Sequence, residues 1–200
     1  MPPLVDPVPS DQQLPKSTEV AIIGGGIIGV SAALTLAERG IPVALFEKGH
    51  IAGEQSSRNW GWCRQQGRDP RELPLIIESL ALWRKIHQRT RCDVGFRQCG
   101  ILYLANTAKD VADREAWLQH GLAYGVESRM VSSKEINKLL PGSNEQWAGG
   151  LYTPTDGRAE PTIAAPAIAR AARQLGARIF TQTAVRGIEK TGGRISAVVT

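Results

Sequence analysis

The chain has 200 residues, 42% hydrophobic and 22% charged, proportions that exclude a largely disordered protein. No stretch approaches the roughly 20 apolar residues of a membrane-spanning helix. The net charge is +5, with the basic residues scattered apart from a mild cluster at Arg58, Arg64, Arg68 and Arg71, a pattern that fits an anionic cofactor or a carboxylate substrate better than nucleic acid.

Residues 1–17 hold Pro2, Pro3, Pro7, Pro9 and Pro15 and few apolar side chains. They read as a flexible lead-in and not as a targeting peptide, because no basic start precedes an apolar core. Thr18–Ile23 is a β-branched apolar run and predicts a buried strand. Gly24–Gly26 break it. Ile27–Arg39, apolar nearly all round and stopped by Gly40, predicts a buried helix. Pro42–Phe46 predicts a second strand, ending at Glu47, so about 30 residues make one βαβ unit.

Gly49–Arg71 is polar, without helical or alternating period, and long for a loop. Leu73–His87 predicts an amphipathic helix, Gly95–Leu104 a strand, Asp110–Tyr124 a helix, and Ser132–Leu140 a shorter one stopped by Pro141-Gly142. A strand begins at Gly149–Tyr152. The next helix is expected to start near Ala165, which puts Pro166 in the first turn, where its missing N–H costs nothing. Ala177–Thr181 predicts a strand. Val185–Lys190 and Arg194–Thr200 predict a hairpin around Gly192-Gly193. The pattern breaks off inside that last strand, as expected for the first part of a longer protein.

Gly24-Gly25-Gly26-Ile27-Ile28-Gly29 fits G-x-G-x-x-G. Gly24 allows the turn, Gly26 lets a pyrophosphate approach the backbone, and Gly29 lets helix and strand pack closely. The phosphates then meet the free amides of the first turn, around Ile27 and Ile28, at the positive end of the helix. Glu47, 18 residues after Gly29, is placed to accept hydrogen bonds from ribose hydroxyls and would repel a 2′-phosphate. The strand–turn–helix context makes this a dinucleotide site. In an NAD dehydrogenase further strand–helix units follow directly. Here the second strand runs instead into Gly53–Arg64, where Ser56, Ser57, Arg58, Asn59 and Arg64 supply hydroxyl, amide and guanidinium groups suited to a pyrophosphate and the polar edge of a flavin.

Four segments (Val20–Gly29, Val43–Lys48, Gly53–Gly61 and Leu151–Ile188) resemble the D-amino-acid-oxidase-like superfamily of FAD-dependent oxidoreductases, which includes glycine oxidase, sarcosine oxidase, D-amino-acid dehydrogenase and opine oxidase. The resemblance covers most of residues 18–200, with 73–148 matching only in general layout. It implies an α/β fold: a Rossmann-like FAD-binding domain interleaved with part of a second, α+β substrate domain. The expected division is 18–72 for the βαβ unit and flavin loop, 73–150 for an inserted substrate segment, and 151–200 for a return to the FAD-binding domain. It further implies FAD as cofactor, contacts from Lys48, and adenine contact by the backbone of Val185. The implied reaction is oxidation of a C–N bond of an amino acid, secondary amine or opine by hydride transfer to flavin N5. Oxygen, a quinone or a partner subunit remain open as the electron acceptor. The loop Gly53–Gly61 lacks the histidine that some amine oxidases carry there, so no covalent flavin is expected from this segment.

The substrate residues are expected mostly beyond the chain, which makes the isolated segment a weak FAD binder with poor turnover. Arg64 and Arg68 are candidates for a substrate carboxylate, with a surface role as the alternative. Trp60 and Trp62 either wall the flavin cavity or pack in a core. Cys63 reads as a packed thiol; with Cys92 and Cys99 it makes an odd set without metal-ligand spacing, which fits a cytoplasmic protein, peripheral membrane association being left open. His50, His87 and His120 are isolated. The competing functions are a flavoenzyme of 2-hydroxy acids or glycerol phosphate, and a non-catalytic FAD-binding subunit.

Overall fold

The structure, a computed structural model, describes residues 4–143 and 146–200. In chain order the elements are β1 (Val20–Ile23), α1 (Ile27–Glu38), β2 (Val43–Phe46), β3 (Trp62–Cys63), α2 (Leu73–Arg84), α3 (Ile86–Thr90), β4 (Ile101–Ala105), α4 (Ala108–Ala123), β5 (Arg129–Val131), α5 (Ser133–Leu139), β6 (Gly149–Thr153), β7 (Gly157–Arg158), α6 (Pro161–Gln174), β8 (Arg178–Phe180), β9 (Gly187–Thr191) and β10 (Arg194–Val199). Two compact units emerge. Unit 1 takes the described residues up to Gly61, Ile86–Gly95 and Glu160–Thr200; unit 2 takes Trp62–Lys85 and Phe96–Ala159. Each interrupts the other along the chain, the interleaved α/β arrangement expected.

Unit 1 is built on a parallel sheet in the order β1-β2-β8, with Ala21 beside Ala44 and Leu45 beside Ile179. β2, in the centre, is buried along its whole length, and Phe46 stacks on Phe180 at 5.3 Å between centroids. β1, expected to be buried, pairs with β2 alone among the described residues, and its side chains are half-buried or exposed. α1 buries only one face, Val30, Ala33, Leu34 and Ala37, against the alanine-rich face of α6. β9 and β10 form the expected antiparallel hairpin, with Gly192 and Gly193 at φ +57° and +77°, the positive pair that a type I′ turn requires.

The start of α6 also differs from expectation. α6 starts at Pro161, not near Ala165, so Pro166 lies inside the helix. A proline there cannot serve the carbonyl of residue 162. That carbonyl instead accepts from the backbone N–H of Asp6, at 3.2 Å. The lead-in therefore runs against α6 and β8. Arg170 donates to Pro7 O at 3.1 Å, and Arg173 forks onto Asp11 at 2.8 and 3.2 Å.

Unit 2 contains the antiparallel sheet β4-β6-β5, with α4 and α5 packed on β6, and a short β3–β7 ladder. β4 starts at Ile101, six residues later than expected, because Gly95 and Gly100 take φ of +69° and +74° and break the extended run. The helix predicted over 73–87 ends at Arg84. α4 and α5 begin at capping boxes, Thr107/Asp110 and Ser132/Glu135, which satisfy the free amides of the first turn. The stretch read as a loop over 49–71 contains 3-10 turns at Gln55–Ser57 and Pro70–Glu72 as well as β3.

Candidate functional site

The glycine turn leaves β1 and enters α1 as the spacing requires. Gly24 has φ +106°. A Cβ on Gly29 would run into the carbonyl of Gly24, and one on Gly25 into Ile51 and Glu47. Gly26, the N-cap of α1, has no side chain to accept from the first amides, and the first turn carries no acidic residue. The positive end of α1 is thus left without a charge partner from its own sequence, the condition that favours an anion. One amide is served from a distance: Ile27 N donates to Ser56 Oγ at 2.8 Å, across 29 residues. Ile28 lies 82% exposed beside this turn. A pyrophosphate fits this cradle.

Glu47 ends β2 with only 8% of its surface exposed. Its Oε2 accepts from Gly25 N and its Oε1 from Gly49 N, both at 2.7 Å. Each carboxylate oxygen has a further acceptor position, so the clamp on the turn leaves capacity for hydroxyl donors. The turn after β2 is tight: Ala52 takes φ +59° and donates to Gly25 O at 2.9 Å. The clamp was not foreseen; the acid was, but not its grip on the glycine turn.

The rest of the predicted cofactor set also lies in unit 1. Ser57 is buried, and its hydroxyl donates to Glu54 O. Arg58 donates to Gly53 O at 3.1 Å, and Lys48 and Arg58 each lie 3.7 Å from Glu54. Asn59 closes the 3-10 turn, donating to Gln55 O and Ser56 O and accepting from Gly61 N. Val185 packs against Ala44, Phe46 and Phe180. His50 lies 3.4 Å from Gln182 Nε2, and His87 and His120 are exposed.

Arg64 and Arg68 fall in unit 2. The Arg64 guanidinium lies over the rings of Trp62 and Tyr103, at 5.5 and 5.6 Å, and donates to Gln66 O. Arg114 lies over the Tyr103 ring at 5.1 Å. Arg68 O accepts from Trp117 Nε1 at 2.7 Å, and Arg68 Nε is buried without a hydrogen-bond partner among the described residues. Trp60 and Trp62 are 80% and 42% exposed in this chain. Burial, aided by the Asp156 charge, pushes the Cys63 thiol up to about 12, so it is an inert packed thiol.

Sequence reading missed the buried polar network behind residues 64–67. Asp156, fully buried, accepts from Gln65 N at 2.8 Å and Gln66 N at 3.0 Å. Gln66 accepts from Thr153 Oγ1 at 2.7 Å and donates to Leu151 O at 3.1 Å. Ser128 and Thr153 share a 2.6 Å hydrogen bond. Burial raises the Asp156 carboxyl, against the pull of these amides. Consecutive glutamines of ordinary polarity gave no signal of this.

The family model of FAD-dependent oxidoreductases (DAO) matches residues 19–200. The chain is 31% identical over 193 residues to the sarcosine oxidase subunit beta of an Arthrobacter species, covering 92% of this chain and 48% of the relative. It is 30% identical to the glycine oxidase of Geobacillus kaustophilus, covering 90% and 52%. The L-amino acid deaminase of Proteus myxofaciens, solved with anthranilate, superposes with a TM-score of 0.93 at 33% identity, covering 98% of this chain and 45% of that one. The chain spans about half the length of these proteins. With the glycine cradle and the acid after β2 in place, the chain belongs to the family of FAD-dependent oxidoreductases.

Proposed function

We propose that this chain is the FAD-binding portion of an oxidoreductase that oxidises the C–N bond of an amino acid or an N-alkyl amino acid. The observation that carries this is the side-chain-free N-terminus of α1 beside the clamped Glu47, in a chain whose relatives are named for sarcosine, glycine and L-amino acids. When bound, FAD supplies the two-electron acceptor for the hydride that leaves the substrate carbon.

The chain's own residues bind and orient. Gly24, Gly26 and Gly29 keep the turn narrow enough for a pyrophosphate to reach the amides of Ile27 and Ile28. Glu47 accepts from the ribose hydroxyls through its remaining positions, and the Val185 backbone and Lys48 border the adenine. Ser56, Ser57, Arg58 and Asn59 supply donors to the phosphates and the flavin edge. Arg64 and Arg68 are the candidates for a substrate carboxylate, the Arg64 guanidinium lying over the rings of Trp62 and Tyr103.

The test is the visible spectrum of the protein expressed from its complete gene, before and after acid precipitation. A two-band flavin spectrum released into the supernatant supports non-covalent FAD. Anaerobic bleaching by a panel of amino acids and N-methyl amino acids then identifies the substrate. A folded, colourless protein that takes up no FAD overturns the reading. Stable flavin that no amine, hydroxy acid or glycerol phosphate bleaches favours a non-catalytic flavin-binding subunit.

A further inference from the structure

The segment before β1 is tied most firmly at Asp11. Its backbone N–H donates to Ile179 O at 2.8 Å, and its Oδ2 accepts from Ile179 N at 2.8 Å. Arg173 grips both carboxylate oxygens. On either side, Ser10 Oγ accepts from Thr181 N at 3.1 Å, and Gln13 O accepts from Arg178. These bonds occupy the side of β8 that faces away from β2. A strand edge left open exposes its amides and carbonyls; here residues 10–13 close it.

The other side of β8 leads to the nucleotide end. Phe180 O accepts from Glu47 N at 2.8 Å, and just past the strand Thr183 N donates to Glu47 O at 2.9 Å and Gln182 N to Gly49 O at 3.0 Å. The backbone of Glu47 is therefore held by β8 and its continuation, while its carboxylate holds Gly25 and Gly49. A continuous set of hydrogen bonds runs from Asp11 through β8 to Glu47 and the glycine turn, all within unit 1.

We infer that Asp11 is a positioning residue for the nucleotide end of unit 1, acting through β8 on Glu47. The inference rests on the proposed role of that end in holding FAD. Asp11 suits the task because its charge is committed twice over. Burial works to raise its carboxyl, but the Arg173 and Ile179 hydrogen bonds, with the charges of Arg173 and Arg178, outweigh this and hold it below the ordinary range. Asparagine keeps an acceptor for Ile179 N but loses the ion pair, and alanine loses both, so the two substitutions grade the effect. Arg170, which hydrogen-bonds the same segment at Asp6 and Pro7, serves as the control.

The experiment is amide hydrogen exchange on the flavin-free full chain, for the wild type, Asp11→Asn, Asp11→Ala and Arg170→Ala, followed by FAD titration of each at a temperature where all are folded. Asp11→Ala is expected to speed exchange about tenfold at Ile179 and Thr181, the loss of a hydrogen bond of ordinary strength, and measurably at Thr183, Gly25 and Gly49. FAD affinity falls about 3- to 10-fold, the range for residues acting through a connected network. Asp11→Asn lies between, and Arg170→Ala leaves Thr183, Gly25 and Gly49 unchanged. Faster exchange confined to Ile179 and Thr181 overturns the inference, as does an Arg170→Ala profile equal to that of Asp11→Ala, which would mean general destabilisation. A wild type that takes up no FAD, with exchange spreading to Gly25 as described, sinks the cofactor reading and leaves the positioning role standing.

Discussion

The glycine turn of unit 1 and the Cys63–Gly67 segment of unit 2 are built on the same device. In each, one buried carboxylate accepts from two backbone amides of an irregular segment: Glu47 from Gly25 and Gly49, Asp156 from Gln65 and Gln66. The difference lies in what surrounds the clamp. Around Glu47 the neighbours are glycines and a bare helix end, the place proposed for the cofactor phosphates. Around Asp156 they are Gln65, Gln66 and Thr153, which satisfy one another and fill the space. A buried acid on backbone amides therefore marks a fixed backbone, and only the absence of side chains beside it marks a binding site.

The sharpest way to break the comparison is to disrupt the glycine turn itself. Gly29→Ala puts a methyl into the Gly24 carbonyl, which is backbone and cannot swing aside. It is expected to cost about 3 kcal/mol and to abolish FAD uptake, read by denaturant titration and flavin absorbance. If FAD still binds with wild-type affinity, the cradle is not the cofactor site. Asp156→Ala strands the buried amides of Gln65 and Gln66 and is expected to cost about 2 kcal/mol; an unchanged stability would show that the filled clamp is dispensable.

Acidity separates two carboxylates that sit in opposite electrostatic balance. The folded-state pKa of Asp156 is raised, so the folded protein binds its proton more tightly than the unfolded chain. Its contribution to stability falls as pH rises from about 3.8 through the raised value, and Asp156→Asn should remove that slope. Asp11 is lowered: its contribution is present above about 3.8 and is lost as pH falls through the depressed value, so Asp11→Asn should flatten the acid side instead. Melting curves of the two variants between pH 2 and 7 check both signs, and parallel slopes would refute the assignment. The smallest effect is expected from Ser56→Ala, which removes the remote cap on Ile27 N and should cost about 1 kcal/mol in thermal unfolding.

The β1–α1–β2 unit was legible because glycine spacing and helix stops act over a few residues, and Glu47 because its distance from Gly29 is fixed by that unit. The substrate-side geometry was less legible. Arg64 was named, but its place over Trp62 and Tyr103 brings together β3 and β4, strands of two different sheets that lie far apart in the chain. Asp156 meets Gln65 across 91 residues, a separation at which no local pattern carries information. The side chains of β1 are half-buried or exposed in a chain that spans about half the length of its relatives, so the burial expected of its β-branched run is not decided by this segment. The start of α6 was misplaced because the cost of Pro166 was counted within the helix, while Asp6 offsets it from outside.

That repair sets an order of assembly. The carbonyl exposed by Pro166 is the address at which Asp6 docks, and the Asp11 amide waits for Ile179, 168 residues later. During synthesis this segment leaves the ribosome before α6 and β8 and has no partner until they have followed it, since chains are made from the N-terminus at a finite rate. Contacts of such sequence separation form late. Docking of residues 6–13 thus follows the synthesis of β8, and a protease that cuts before Val20 during synthesis but not afterwards would time the event.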